Sequence, residues 1–239
     1  MALIRSIVFN ILFYGATAVM SIIGLPLLLL PGRVIEIYAH CWAVVLVVLL
    51  RVVGIRHRII GPRPKGPVIY AAKHQSAWET ITLYPALGSP APVMKRSLVF
   101  YPLIGLYFLK VPSVPIDRSV GVQALRSLKD NAIRIAAMPR SILIFPQGTR
   151  VAPGREHPYH AGTYAIYAAS GLPVVPVALN SGLFWGRENF VKKPGEITVE
   201  LLPPIPPGLD RKAFMKQLED SIENATNALP GMAEASKKG

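Results

Sequence analysis

The segment Lys73-His74-Gln75-Ser76-Ala77-Trp78-Glu79 holds an imidazole and a carboxylate five residues apart, a pairing that invites a general-base dyad. Glu79 is the only acidic residue between Glu36 and Asp117, so a basic and apolar stretch carries its one carboxylate just after a histidine. On a continuous helix positions i and i+5 lie about 140° apart and the side chains do not meet. A loop-to-helix junction removes the difficulty. With Ser76 as N-cap and Glu79 at the third helical position, S-x-x-E is a capping box, and His74 stays outside the helix, free to fold back toward Glu79. Capping is also a sufficient reason for Glu79 by itself, since the pattern is common.

A second segment, Ile144-Phe145-Pro146-Gln147-Gly148-Thr149-Arg150, follows another apolar run. Gly148 permits close backbone approach, Thr149 offers a hydroxyl and Arg150 a planar fork, which together suit a phosphate. Taken alone, the segment reads first as an ordinary strand-to-loop turn. His157 and His160 have HxxH spacing, but a metal needs more ligands, and with neither CxxC nor HExxH in the chain no metal is expected. The single cysteine, Cys41, excludes an intrachain disulfide, and there is no G-x-S-x-G nucleophile elbow.

The elements that would position these residues can be read from the apolar pattern. A composition of 51% hydrophobic and 16% charged residues excludes disorder. Ile7 to Leu30 is uncharged and, as helix, about 36 Å long against a hydrocarbon core of about 30 Å. Pro26 is expected to kink it, a Pro31-Gly32 turn follows, and Ile37 to Leu50 is a second, shorter uncharged stretch. A signal peptide fits less well because the apolar run continues past the small-residue site at Gly15 to Ala18. Arg5 precedes the pair, and Arg51, Arg56, Arg58, Arg63 and Lys65 follow it, which predicts a membrane hairpin over residues 1–58 with both ends cytoplasmic. From residue 59 to 239 the texture is that of an α/β domain. Strands are predicted at 68–72, 141–145, 173–179 and 197–202, and helices at 122–138 and from Asp210 through Phe214, Leu218 and Ile222. The net charge of +13 implies an anionic partner. Nucleic acid is excluded as that partner, since the cations are dispersed and no binding motif is present.

Four blocks in order across residues 70–180 resemble those of the glycerophospholipid acyltransferases. His74, Ser76 and Glu79 are similar to the first, Asn-His-x-x-x-x-Asp with a Ser two after the His. Lys95, Arg96, Pro102, Gly105 and Ile116-Asp117-Arg118 are similar to the second. Phe145 to Arg150 resembles Phe-Pro-Glu-Gly-Thr-Arg, and Val174 to Val177 the Pro-containing fourth. The chain departs from the pattern at Glu79 for Asp, at Gln147 for Glu, and at Tyr159 to Gly162, where an aromatic followed by Lys is usual. Glu for Asp asks the junction to absorb roughly 1.5 Å of reach. Gln for Glu loses charge but keeps an acceptor and adds a donor.

The resemblance implies an α/β fold, a central mixed sheet flanked by helices behind the two-helix membrane hairpin. It implies acyl transfer from a thioester, acyl-CoA or the acidic acyl carrier protein, to the sn-2 hydroxyl of 1-acylglycerol-3-phosphate, with no resident cofactor. His74 is then the base and Glu79 its partner. Lys95, Arg118, Gly148, Thr149 and Arg150 would hold phosphate, supported by Ser76 and Gln147, while Lys73 and Arg96 would be solvated or on a lipid headgroup. Backbone N–H groups near Gly148 or the Ser76 helix start are the expected oxyanion donors. Other lysolipid acceptors, such as lyso-ornithine lipid, and an inactive lipid-binding relative are the alternatives. The bacterial inner membrane, with the catalytic domain on its cytoplasmic face, is the implied location.

Overall fold

The computed structural model describes residues 1–117 and 122–236. Seven strands, β1 (Ile55–Ile60), β2 (Ile69–Ala72), β3 (Ala91–Lys95), β4 (Val114–Ile116), β5 (Ile142–Ile144), β6 (Val174–Leu179) and β7 (Gly195–Leu201), form one sheet in the order β1-β7-β6-β2-β5-β3-β4. The five strands from β6 to β4 run parallel, whereas β7 is antiparallel to β6 and carries β1 alongside it. Parallel strands must be joined by crossovers, and the helices that make them cover both faces. Strand β2 is buried along its whole length for this reason.

Alternation along β2 divides the core. Ile69 and Ala71 pack with α5 (Val122–Ala136), α6 (Gly162–Ser170) and α7 (Arg211–Ala228), whose Leu128, Ile135, Ile166, Phe214, Leu218 and Ile222 are buried. Tyr70 and Ala72 face α3 (Trp78–Ala86) and the N-terminal helices through Trp78, Leu83, Phe9, Leu50 and Val53. Asp210 caps α7 as its position predicts, its Oδ1 accepting from the N–H of Lys212 at 2.8 Å and of Ala213 at 3.0 Å.

The N-terminal apolar runs form α1 (Ala2–Ile23) and α2 (Gly32–Leu49), and by length and composition both segments could cross a membrane. Pro26 does not kink a continuous arm. Helix α1 stops at Ile23, and Pro26 sits in the first turn of a 3₁₀ segment, Leu25–Leu29, where its missing N–H costs nothing. The sheet starts at Ile55, so β1 straddles residue 58, the boundary read from composition.

The pair lies against the α/β domain over its length. Near the start of α1, Ser6 Oγ accepts from the Lys192 N–H at 2.9 Å and Asn10 Oδ1 from Lys192 Nζ at 2.8 Å. Near its end, Ser21 O accepts from the Tyr107 hydroxyl of α4 (Ile104–Lys110) at 2.7 Å. On α2, Glu36 pairs with Arg140, and His40 Nδ1 lies 2.9 Å from Ser89 Oγ. The opposite side of both helices is exposed and apolar, with Ile4, Ile11, Val19, Ile22, Ile37 and Val48.

Candidate active site

Three neighbouring parallel strands, β6, β2 and β5, end on the same edge of the sheet, and each releases one part of the site there. This edge is where ligands bind in open α/β sheets. Strand β2 runs into Lys73 and His74, β5 into Phe145 to Arg150, and β6 into Asn180 and Ser181.

His74 Nδ1–H donates to Glu79 Oε1 at 3.0 Å; an ionised carboxylate only accepts, which sets the tautomer. The same oxygen accepts from the backbone N–H of Gln75 at 2.5 Å and of Ser76 at 2.7 Å. Glu79 Oε2 accepts from Ser181 Oγ at 2.8 Å, and the carboxylate is wholly buried. Capping and pairing are therefore one arrangement rather than alternatives. The helix starts one residue later than the pattern predicts, with Ala77 as N-cap, while Ser76 Oγ accepts from the Trp78 N–H at 3.0 Å. That shift moves Glu79 one place toward the helix start, and the longer side chain reaches back across the junction to His74.

The imidazole stacks on Phe145, with centroids 4.2 Å apart and planes at 20°, and is 13% exposed. With Nδ1 held by Glu79, Nε2 is the nitrogen left for a substrate. The β5 loop is laced to the His74 backbone: Gln147 Oε1 accepts from the His74 N–H at 3.2 Å, and His74 O accepts from the Val151 N–H at 2.8 Å. Gln147 is fully buried and its Nε2 has no partner among the described residues.

Three of the backbone donors near the expected oxyanion positions are already engaged. The Gln75 and Ser76 N–H groups serve Glu79, and Gly148 N–H donates to Phe145 O at 2.9 Å. Gly148 has φ of 64°, a turn that returns the loop toward its own strand and spends that donor.

Of the expected phosphate ligands, Thr149 and Arg150 are half-buried in the β5 loop. Lys95 is exposed at the end of β3, next to β5 on the same sheet edge. Arg118 lies outside the described residues. A cavity lined by Lys95, Arg96, Ser97, Phe100, Ile116 and Asp117 opens between the ends of β3 and β4.

Lys73 is neither solvated nor available to a headgroup. It is 3% exposed, and its Nζ lies 2.6 Å from both carboxylate oxygens of Glu223 on α7. Tyr159 donates to the same carboxylate at 2.8 Å, and burial together with Glu223 pushes its phenol above the usual tyrosine range. Burial and the nearby Glu223 also raise Glu219. Tyr159, the first residue of the run where the sequence departs from the resembled pattern, thus belongs to the Lys73–Glu223 ion-pair network.

Sequence reasoning missed Ser181, Phe145 as a platform for His74, and Gln75, whose Oε1 accepts from the Gly182 N–H at 3.0 Å. Position at the end of a predicted strand was the signal available for Ser181. His157 and His160 face each other at 6.1 Å between ring centroids, and among the described residues no group of His, Cys, Asp and Glu could hold a metal.

Comparison with known proteins agrees with this edge-of-sheet arrangement. A family profile described as Acyltransferase matches residues 54–180. The 1-acyl-sn-glycerol-3-phosphate acyltransferase of Pseudomonas aeruginosa is 32% identical over 206 residues, covering 84% of this chain and 80% of that protein. The enzyme of the same name from Limnanthes douglasii is 30% identical over 193 residues, 80% of this chain and 68% of its own. The crystal structure of the 1-acyl-sn-glycerophosphate (LPA) acyltransferase PlsC from Thermotoga maritima shares the fold, with a TM-score of 0.79 over 97% of this chain and 98% of that one at 18% identity. Because the profile spans more than half of the residues and includes both loops that meet at His74, the chain belongs to the acyltransferase family.

Proposed function

We propose that the protein transfers a fatty acyl group from a thioester to the sn-2 hydroxyl of 1-acylglycerol-3-phosphate, forming phosphatidic acid and releasing a thiol. The observation that carries this reading is the His74–Glu79 pair, with Nε2 uncommitted at the open edge of the sheet. His74 Nε2 takes the proton of the lysolipid hydroxyl as its oxygen attacks the thioester carbonyl. The tetrahedral intermediate collapses with loss of the thiolate, to which His74 returns the proton. Glu79 stabilises the imidazolium, and the Phe145 ring beneath it adds an attractive face for a cation. No enzyme nucleophile is required. With the Gln75, Ser76 and Gly148 N–H groups engaged elsewhere, Gln147 Nε2–H is the donor we assign to the acceptor or to the developing oxyanion.

Lys95 and Arg150, with Thr149 and Gly148, are assigned to the acceptor phosphate, and Arg118 to the same role from the segment beside Asp117. The donor is acyl-CoA or acyl carrier protein, whose negative charge suits a chain of net charge +13. Residues 1–58 act as the membrane anchor. Because the helix pair contacts the α/β domain from Ser6 to His40, we assign it a place along one leaflet, with both ends on the cytoplasmic side of the bacterial inner membrane. The test offers the purified protein lysophosphatidic acid and lyso-ornithine lipid with one acyl donor. Preference for the phosphate acceptor is expected, and Arg150→Ala should reduce kcat/KM for it by about 30-fold, mostly through KM, as loss of a charge-assisted contact worth about 2 kcal/mol requires. Preference for the ornithine acceptor would overturn the assignment.

A further inference from the structure

The stretch from Arg96 to Lys110 presents large apolar side chains to solvent that the acyl-transfer chemistry does not use. Phe100 is 77% exposed and Leu109 66%, with Tyr101, Leu103 and Leu106 exposed beside them. The segment is a built platform. Leu103 is the centre of a γ-turn with φ 63° and ψ −60°, the Ile104 N–H donating to Pro102 O at 2.7 Å, a conformation leucine holds only where its surroundings impose it. A Cβ at Gly105 would come within 2.1 Å of Val99 O, so glycine there lets α4 press against the 3₁₀ turn Arg96–Phe100. Tyr107 anchors the other side of α4: it is buried, stacks on Tyr38 at 6.0 Å and donates to Ser21 O.

These contacts seat α4 on the turn between α1 and α2, where Leu29 and Leu30 are exposed, so the platform adjoins exposed apolar residues of the N-terminal segment. Its rim is cationic, with Lys95, Arg96 and Lys110 exposed. Apolar side chains bounded by Lys and Arg match a bilayer interface whose headgroups are negative. We infer that the segment Phe100–Lys110 is a second membrane-docking surface, which inserts Phe100, Tyr101, Leu106 and Leu109 into an anionic phospholipid bilayer beside the helical anchor. The inference rests on the reading of residues 1–58 as that anchor. Its consequence is that the cavity lined by Lys95 and Arg96 sits at headgroup depth, so a lysolipid reaches it by lateral motion.

Depth labelling of the full chain tests this. Cys41, the only cysteine, is exposed and is replaced by alanine. An environment-sensitive fluorophore is then attached in separate variants at Leu109→Cys, at Ile11→Cys on the anchor, and at Lys216→Cys on the far side of the sheet. In phosphatidylcholine–phosphatidylglycerol vesicles, brominated acyl chains should quench the Leu109 and Ile11 labels and leave the Lys216 label unchanged. Removing phosphatidylglycerol should weaken quenching at Leu109. A Leu109 label as insensitive as the Lys216 label, with Ile11 still quenched, would overturn the docking surface and leave the anchor intact. Loss of quenching at Ile11 alone would instead overturn the anchor. A Leu109 label shifted to the blue but untouched by bromines would assign the face to a second copy of the chain and also overturn the inference.

Discussion

Replacing Glu223 by alanine leaves the Lys73 ammonium buried without its counter-ion. Lys73 is 3% exposed and Glu223 31%, so the two partners are not equivalent: the carboxylate can turn to water, the ammonium cannot. Breaking a buried pair by removing one partner costs about 3–5 kcal/mol, and access of water through the vacated Glu223 position puts this case at about 3 kcal/mol, including the orphaned Tyr159 hydroxyl. Lys73→Met keeps most of the side-chain volume and leaves Glu223 half-exposed and still held by Tyr159, for a cost below about 1 kcal/mol. For a chain of this size about 1 kcal/mol shifts Tm by about 2–4 °C, so Glu223→Ala should lower Tm by about 6–12 °C and Lys73→Met by less than about 4 °C. Thermal unfolding of the purified protein in detergent micelles reads both. Equal losses, or a larger loss for Lys73→Met, would refute the asymmetry and with it the account of Lys73 as a buried, structurally paired cation.

Further outcomes follow from the hydrogen bonds around Glu79 and from the charge on α7. Glu79→Gln preserves a capping group but removes the charge that stabilises imidazolium, so turnover should fall by about 10²-fold while Glu79→Asp stays active; full activity in the Gln variant would reduce Glu79 to a cap. Ser181→Ala removes one donor from the carboxylate and should lower kcat by about 10-fold at unchanged acceptor KM, whereas a change confined to KM would mean that Ser181 acts on binding. Glu219 is raised in the folded protein by burial and by Glu223, so its ionisation costs stability once pH exceeds its unfolded value of about 4.3. Glu219→Gln should therefore stabilise the protein near neutrality, with the gain disappearing as pH falls below that value; a gain independent of pH would assign the effect to something other than ionisation.

The parts of the molecule legible in its sequence are those where a single local rule decides. Strands β2, β5, β6 and β7 are apolar runs buried on at least one face, and the α7 start at Asp210 is a cap followed by apolar residues at helical spacing. Strands β1, β3 and β4 were not legible because their content hides the signal. Arg56 and Arg58 alternate outward on an edge strand, while Pro92 and Pro115 fall in strands toward the other edge, where a missing donor is tolerated. The His74 to Glu79 approach could be anticipated because both residues sit in one junction. Ser181, 102 residues beyond Glu79, reaches the same carboxylate only through the parallel placement of β6 beside β2. Lys73 was misread because its partner, 150 residues away on α7, leaves no local trace.

The central claim, that His74 is the base in acyl transfer to lysophosphatidic acid, is tested most directly by measuring phosphatidic acid formation by the purified protein and by His74→Ala, with lysolipid binding and thermal unfolding followed in the same preparations. The account predicts measurable turnover in the unmodified chain and a loss of about 10²-fold or more in the variant, with folding and acceptor binding preserved. Near-normal turnover by a folded His74→Ala protein would contradict it.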